Sequence, residues 1–317
     1  MLNRTVRKIL LIAVIPVFLF SSIMVLKHDL EMRISADYAE EIVQAAVIHS
    51  AAPSADGSGG EMIRETASSA AVQATESPSG ETISAAPAQT PATGEEEAKT
   101  EPTEAPTEEP GEEPDEEPTE EIYPPAPIQV DFEALREKNE DVVAWIYCPD
   151  TPINYPVVQA EDNEYYMHRL LNGKENASGT LFMDYRNAAD LSDWNSVIYG
   201  HNMKNGSMFG ILTHYKQPSY FEEHPEIFLL TPEQDYVIKV VAGFVTPEDS
   251  ELYNDFAPDE ENRERLLREW MEASFFDSGY EPAAEDRLIT LSTCSYEYSN
   301  ARFVLVGILK KLGNGQK

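Results

Sequence analysis

The run Leu288-Ile-Thr-Leu-Ser-Thr-Cys294 reads as a strand that ends in a thiol. Strand alternation puts Thr290, Ser292 and Cys294 on one face, and Ile289 and Leu291 on the other. Cys294 therefore closes the strand on its more polar side, where a loop begins. After Ser295–Asn300 the chain resumes as Arg302-Phe-Val-Leu-Val-Gly-Ile-Leu309, apolar on both faces. A full charge at the head of such a strand is costly unless it is paired or belongs to a site. If the two strands form a hairpin, Arg302 lies near Cys294 across its open end. A guanidinium there favours thiolate over thiol. It can also hold a carbonyl oxygen that becomes an oxyanion.

A cysteine nucleophile generally needs an acid–base partner, and the chain has six histidines. His28 and His49 fall near the N-terminal apolar stretch. His168, His214 and His224 fall in short helical or loop segments. His201 differs, because it directly follows the strand Ser196-Val-Ile-Tyr-Gly200. Gly200 is expected to let the backbone turn and present the imidazole at the strand end. A strand-end histidine and a strand-end cysteine can meet in space despite their distance in sequence. Spacing alone leaves two readings open. One is a single Cys294/His201/Arg302 site. The other is a small buried thiol, a loop histidine and a surface arginine with no common purpose.

The elements that would position these residues are short. Val142–Tyr147, Asn154–Val158, 179–183, 196–200, 227–230, 236–244, 287–293 and 302–309 read as strands, rich in Val, Ile, Tyr and Phe and separated by Pro, Asn, Asp or Gly. Helices are fewer. Phe132–Lys138 can be capped by Asp131. Segments 164–171 and 209–215 are short candidates. Segment 260–274 is the clearest, with Asp259 as cap, Glu260 and Glu261 suiting the dipole, and Leu266, Leu267, Trp270 and Met271 on one face. Such a pattern is mainly β, a closed barrel or a sandwich with peripheral helices.

Composition narrows the classes further. The formal net charge is −34, which argues against a nucleic-acid binder. Two cysteines, Cys148 and Cys294, exclude a disulfide-stapled scaffold and a four-cysteine zinc site. No Gly-rich phosphate loop occurs. Residues 9–26 are uncharged and long enough to span a bilayer core. Arg4, Arg7 and Lys8 precede them and acidic residues follow. The positive-inside rule gives a single-pass signal anchor, with residues 1–8 cytoplasmic and the rest outside the cell membrane. Residues 27–50 then read as a juxtamembrane stalk. Residues 51–127 hold over half of the 22 prolines and a repeated Glu-Glu-Pro. They are expected to be a disordered acidic spacer that cannot offset its ordering entropy. Residues 128–317 have globular composition and form the expected catalytic domain.

Several segments of that domain resemble one family. Thr290-Leu-Ser-Thr-Cys294, Ser295-Tyr-Glu-Tyr298 and Ala301-Arg302-Phe303 look like the active-site signature of sortases of class B. Tyr199-Gly-His201-Asn-Met203 resembles the family's histidine motif. Trp145-Ile146, Ile153-Asn-Tyr-Pro-Val-Val-Gln159 and Gly179-Thr-Leu-Phe-Met-Asp-Tyr-Arg-Asn187 are similar to class B segments too. The resemblance covers about Asp131 to Lys311, and segment 260–274 looks like the insertion that separates class B from class A. It implies an eight-stranded sortase-type β-barrel with peripheral helices and no cofactor. It implies a cysteine transpeptidase of Gram-positive bacteria, with Cys294 as nucleophile, His201 as general acid, and Arg302 as substrate and oxyanion stabiliser. The implied substrates are secreted proteins with a C-terminal sorting signal, cleaved after Thr, and the implied acceptor is an amine of the peptidoglycan precursor lipid II. Alternatives within the same chemistry are a pilin-polymerising enzyme and a peptidase whose thioester is resolved by water.

Overall fold

Short β-branched and aromatic runs, each cut off by Pro, Asn, Asp or Gly, close here into one barrel. The computed structural model describes residues 4–49, 123–253, 258–281, 283 and 285–313. The barrel strands are β3 (Val142–Tyr147), β4 (Asn154–Val158), β5 (Leu181–Met183), β6 (Asn195–Tyr199), β7 (Glu226–Leu230), β8 (Tyr236–Pro247), β9 (Leu288–Cys294) and β10 (Ala301–Lys311). They follow the order β10-β8-β7-β3-β4-β5-β6-β9 and close on themselves. All neighbours are antiparallel except β4–β5 and β6–β9. A parallel pair needs a long crossover. The crossover from β6 to β9 carries β7, β8 and helix α4 (Glu260–Glu272). It brings the C-terminal ends of β6 and β9 to the same end of the barrel.

Inward-facing residues such as Ile146, Val157, Leu181, Ile198, Leu291, Phe303 and Leu305 fill the interior. Outside, Val304, Val306 and Ile308 of β10 pack under Leu266, Leu267 and Trp270 of α4. Both faces of β10 are thus buried, which accounts for its apolar sequence. At Gly307 the pairing with β8 shifts register, and a Cβ there would stand 2.3 Å from Ile238 Cγ2. Helix α2 (Phe132–Lys138) and α4 start as their sequences predict. Asp131 accepts from Ala134 N at 2.9 Å, and Asp259 from Asn262 N at 2.9 Å. The candidates at 164–171 and 209–215 are 3₁₀ pieces, a shorter one at Tyr165–His168 and one of equal length at Gly210–Lys216. The second is followed by helix α3 (Pro218–Glu223), which opens on a proline.

Helix α1 (Arg4–Ala46) runs directly into strand β1 (Val47–His49), which pairs antiparallel with β2 (Ile128–Val130). The expected span at 9–26 lies within α1, and its side chains before Phe20 are outside the described residues. Among the described residues no helix is long and apolar enough to cross a membrane. The single-pass membrane placement expected from the sequence, with its membrane contact through this helix, is therefore corrected. The physical reason lies in the described part of α1. From Lys27 it carries charges, two pairs of which bridge one turn apart (Lys27–Glu31 and Asp29–Arg33). Its far end buries Ile42 and Ala46 against the barrel's surroundings. Residues 27–49 are thus helix and strand, packed on the domain from Glu31 onward. The spacer expected at 51–127 falls outside the described residues up to position 122.

Candidate active site

The site begins with the pairing of β6 and β9. These parallel strands align Tyr199 with Ser292, and the alignment continues past the end of β6. Gly200 N donates to Ser292 O at 3.0 Å, and Thr293 Oγ1 donates to Gly200 O at 2.8 Å. Asn202 Nδ2 then donates to Cys294 O at 2.8 Å. Carried two residues beyond the last pair, this register brings His201 and Cys294 to the same end of the barrel. On the other side of β9, Cys294 is the pairing partner of Arg302 on β10. Residues directly opposite in an antiparallel pair present their side chains on one face. All three residues line one open cavity of about 380 Å³.

Gly200 is needed for space rather than for a turn. A Cβ there would stand 2.4 Å from Leu181 Cδ2 and 2.7 Å from Phe209 Cδ2. Its neighbour His201 is half-buried, and its Nε2 lies 2.7 Å from the Met167 carbonyl oxygen. A carbonyl only accepts, so Nε2 carries a hydrogen and Nδ1 is left for proton transfer. His168 stacks on the ring with centroids 5.6 Å apart. Burial pushes the His201 pKa below the ordinary histidine value. The Met167 carbonyl works against that, and His168 adds to it.

Arg302 is held along one side. Its Nη2 donates to Glu248 Oε2 at 2.6 Å and its Nη1 to Ala301 O at 3.3 Å. The cavity floor is a polar network. Arg186 grips the buried Asp184 through two bonds of 2.8 and 2.9 Å, and Tyr199 Oη and Asn163 Nδ2 also donate to that carboxylate. Burial pushes the Asp184 carboxyl up, but these donors outweigh it and hold it below the usual range. Arg186 Nη2 reaches on to Tyr253 O at 2.8 Å, and the Tyr253 hydroxyl lies 2.8 Å from Ser292 Oγ. Arg186 thus lines the cavity and the buried Asp184 holds it from beneath, while Tyr185 stays exposed. The second thiol, Cys148, is free and buried, as Cys294 is free and part-exposed, so no disulfide ties up the site.

The three residues singled out in the sequence come together. Four contributors were missed. Met167 acts through a main-chain carbonyl, which has no sequence signature. Asn163 and Tyr253 belong to segments with no motif of their own. Glu248 would have been found only from the β8–β10 pairing. That pairing sets Arg302 opposite Thr246 and carries Asn300 alongside Glu248.

A thiol, an imidazole and a guanidinium on three adjacent strand ends of a closed eight-stranded barrel fit one class of protein, the cysteine transpeptidases that anchor proteins to the cell wall. The chain belongs to the sortase family, whose Sortase domain model matches residues 146–310, and within it to class B. Sortase B of Listeria monocytogenes is 34% identical over 184 residues, covering 57% of this chain and 75% of that protein. Sortase B of Staphylococcus aureus is 30% identical over 184 residues, covering 58% and 75%. Among solved structures, a Staphylococcus aureus sortase B–substrate complex superposes with a TM-score of 0.55 at 29% identity, covering 57% of this chain and 85% of that one. Clostridium perfringens sortase B superposes with a TM-score of 0.53 at 31% identity, covering 56% and 99%.

Proposed function

We propose that Cys294 is the nucleophile, His201 the general acid and base, and Arg302 the partner of the oxyanion. The substrate is a secreted protein with a C-terminal sorting signal. The Cys294 thiol passes its proton to His201 Nδ1, the thiolate attacks the carbonyl that follows the signal's Thr side chain, and a C–S bond forms. The carbonyl oxygen takes up the negative charge facing the Arg302 guanidinium. The tetrahedral adduct collapses as His201 gives its Nδ1 proton to the departing amine, and the C–N bond breaks. A thioester on Cys294 remains. An acceptor amine then attacks it, neutral His201 takes the amine's proton, and the thiolate leaves. The acceptor is an amine of the peptidoglycan precursor.

The observation that carries this reading is one cavity lined by Cys294, His201 and Arg302, with Arg302 the pairing partner of Cys294 across β9 and β10. Two similar solved structures support it, the Staphylococcus aureus sortase B with a substrate and a sortase B complexed with triglycine. The catalytic unit starts at about Tyr123, whose carbonyl accepts from Gly313 N and which is followed by the buried Ala126, and residues 51–122 are a spacer. A panel of fluorogenic sorting-signal pentapeptides, with and without triglycine, tests the proposal. A new amide product with triglycine supports transfer. Hydrolysis alone, unchanged by the amine, contradicts it, and cleavage by Cys294→Ala contradicts the nucleophile.

A further inference from the structure

Arg302 is not left to find its own orientation. Glu248 follows the end of β8 and lines the same cavity. Both of its oxygens are taken. Oε2 accepts from Arg302 Nη2 at 2.6 Å, and Oε1 accepts from Asn300 Nδ2 at 2.6 Å. Glu248 N in turn donates to Asn300 O at 3.1 Å. Asn300 adopts a left-handed backbone with φ of 62°, a conformation that short polar side chains tolerate better than most. The loop after the nucleophile and the end of β8 are thus clasped together, with the carboxylate fixed between an amide and the guanidinium.

A solvent-exposed ion pair alone adds little to stability and would say little. The clasp matters because its far end is the Arg302 guanidinium, the pairing partner of Cys294. Arginine is a rigid planar fork, so fixing one edge fixes the direction of every other donor. Glu248 takes Nη2 and the Ala301 carbonyl takes Nη1. Nε–H and one N–H on each Nη remain as the donors that can meet an oxyanion forming on the carbon attached to Cys294.

We propose that Glu248, held by Asn300, is a positioning residue that aims the Arg302 guanidinium at the oxyanion. This rests on the role assigned to Arg302 above. An aiming role acts in the transition state more than in ground-state binding. Glu248→Gln should therefore lower kcat about tenfold, as a small misplacement of a catalytic group does, with KM within about twofold. Glu248→Asp should recover part of the loss. Asn300→Ala, which frees one carboxylate oxygen without changing charge, should lower kcat by a few-fold. In an Arg302→Met background, read in single turnover at high enzyme concentration, Glu248→Gln should change nothing further.

Unaltered kcat in a Glu248→Gln protein that melts like wild type would overturn the proposal. So would an equal loss in the Arg302→Met background, or a loss confined to KM. If Glu248→Gln fails to fold, Asn300→Ala carries the same test. Cys294→Ala run alongside separates the two readings. Cleavage by that variant sinks the proposed function, whereas an inactive Cys294→Ala beside a fully active Glu248→Gln sinks only the role of Glu248.

Discussion

The two cysteines of this chain have the same chemistry and opposite surroundings. Cys148 is 1% exposed, and its Sγ lies 3.7 Å from the Glu226 carbonyl oxygen. Burial pushes its thiol up to about 11, against a smaller opposing effect from Thr151. Iodoacetamide at pH 8 should label Cys294 in the native protein and spare Cys148 until the fold is lost. Mass mapping of the labelled peptides checks this, and early labelling of Cys148 would contradict it. His201 gives a second prediction. Its folded-state pKa lies below the unfolded one, so on acidification the unfolded chain takes up a proton that the native site resists. The group costs nothing well above about pH 6.5, and stability falls as the pH drops through that value. His201→Gln should lose less stability between pH 7.5 and pH 5 than wild type, as read by denaturant titration. Equal slopes would contradict the assignment. These residues were legible because each ends a strand with chemistry that a strand end does not require. The Met167 carbonyl and Glu248 were not, since what matters in them is a backbone group and a partner set by pairing.

At the scale of elements, the parallel pair β6–β9 does the positioning. Its register could not be read from sequence, because the two strands are joined by a crossover that holds β7, β8 and α4. What could be read was composition. All eight strands were recognisable from their β-branched and aromatic runs, with ends off by a few residues where a turn residue also pairs. The short 3₁₀ pieces were overdrawn as helices because apolar spacing over seven or eight residues does not distinguish the two. Gly200 was correctly singled out for the wrong reason. Since a Cβ there would collide with Leu181 and Phe209, Gly200→Ala should destabilise the fold by about 1–3 kcal/mol through overpacking. It should also reduce cleavage, because the strand that carries His201 must shift. A variant with wild-type melting and full activity would show that the packing there is loose.

At the scale of the whole molecule, the chain returns to its own domain after the N-terminal helix. The Asn176 side chain donates to the Glu31 carbonyl at 3.0 Å, and β1 pairs with β2. The sequence pointed to a stalk here because charge and apolar periodicity do not say which surface a helix will find. Residues 54–120 lie in the sequence between those two strands. Replacing them by a Gly–Ser loop of about eight residues should leave cleavage of a soluble peptide within twofold. It should also stabilise the docked helix by about 2 kcal/mol through the shorter closure. A large loss of cleavage would mean that the segment contributes to the reaction itself.

The most direct test is to quench the enzyme in acid a short time after mixing with a sorting-signal peptide and to weigh the intact protein. The account predicts an added mass equal to the peptide's N-terminal portion, mapped to Cys294 and discharged on addition of triglycine. Peptide turnover with no acyl adduct at Cys294, or an adduct that the amine does not discharge, would contradict it.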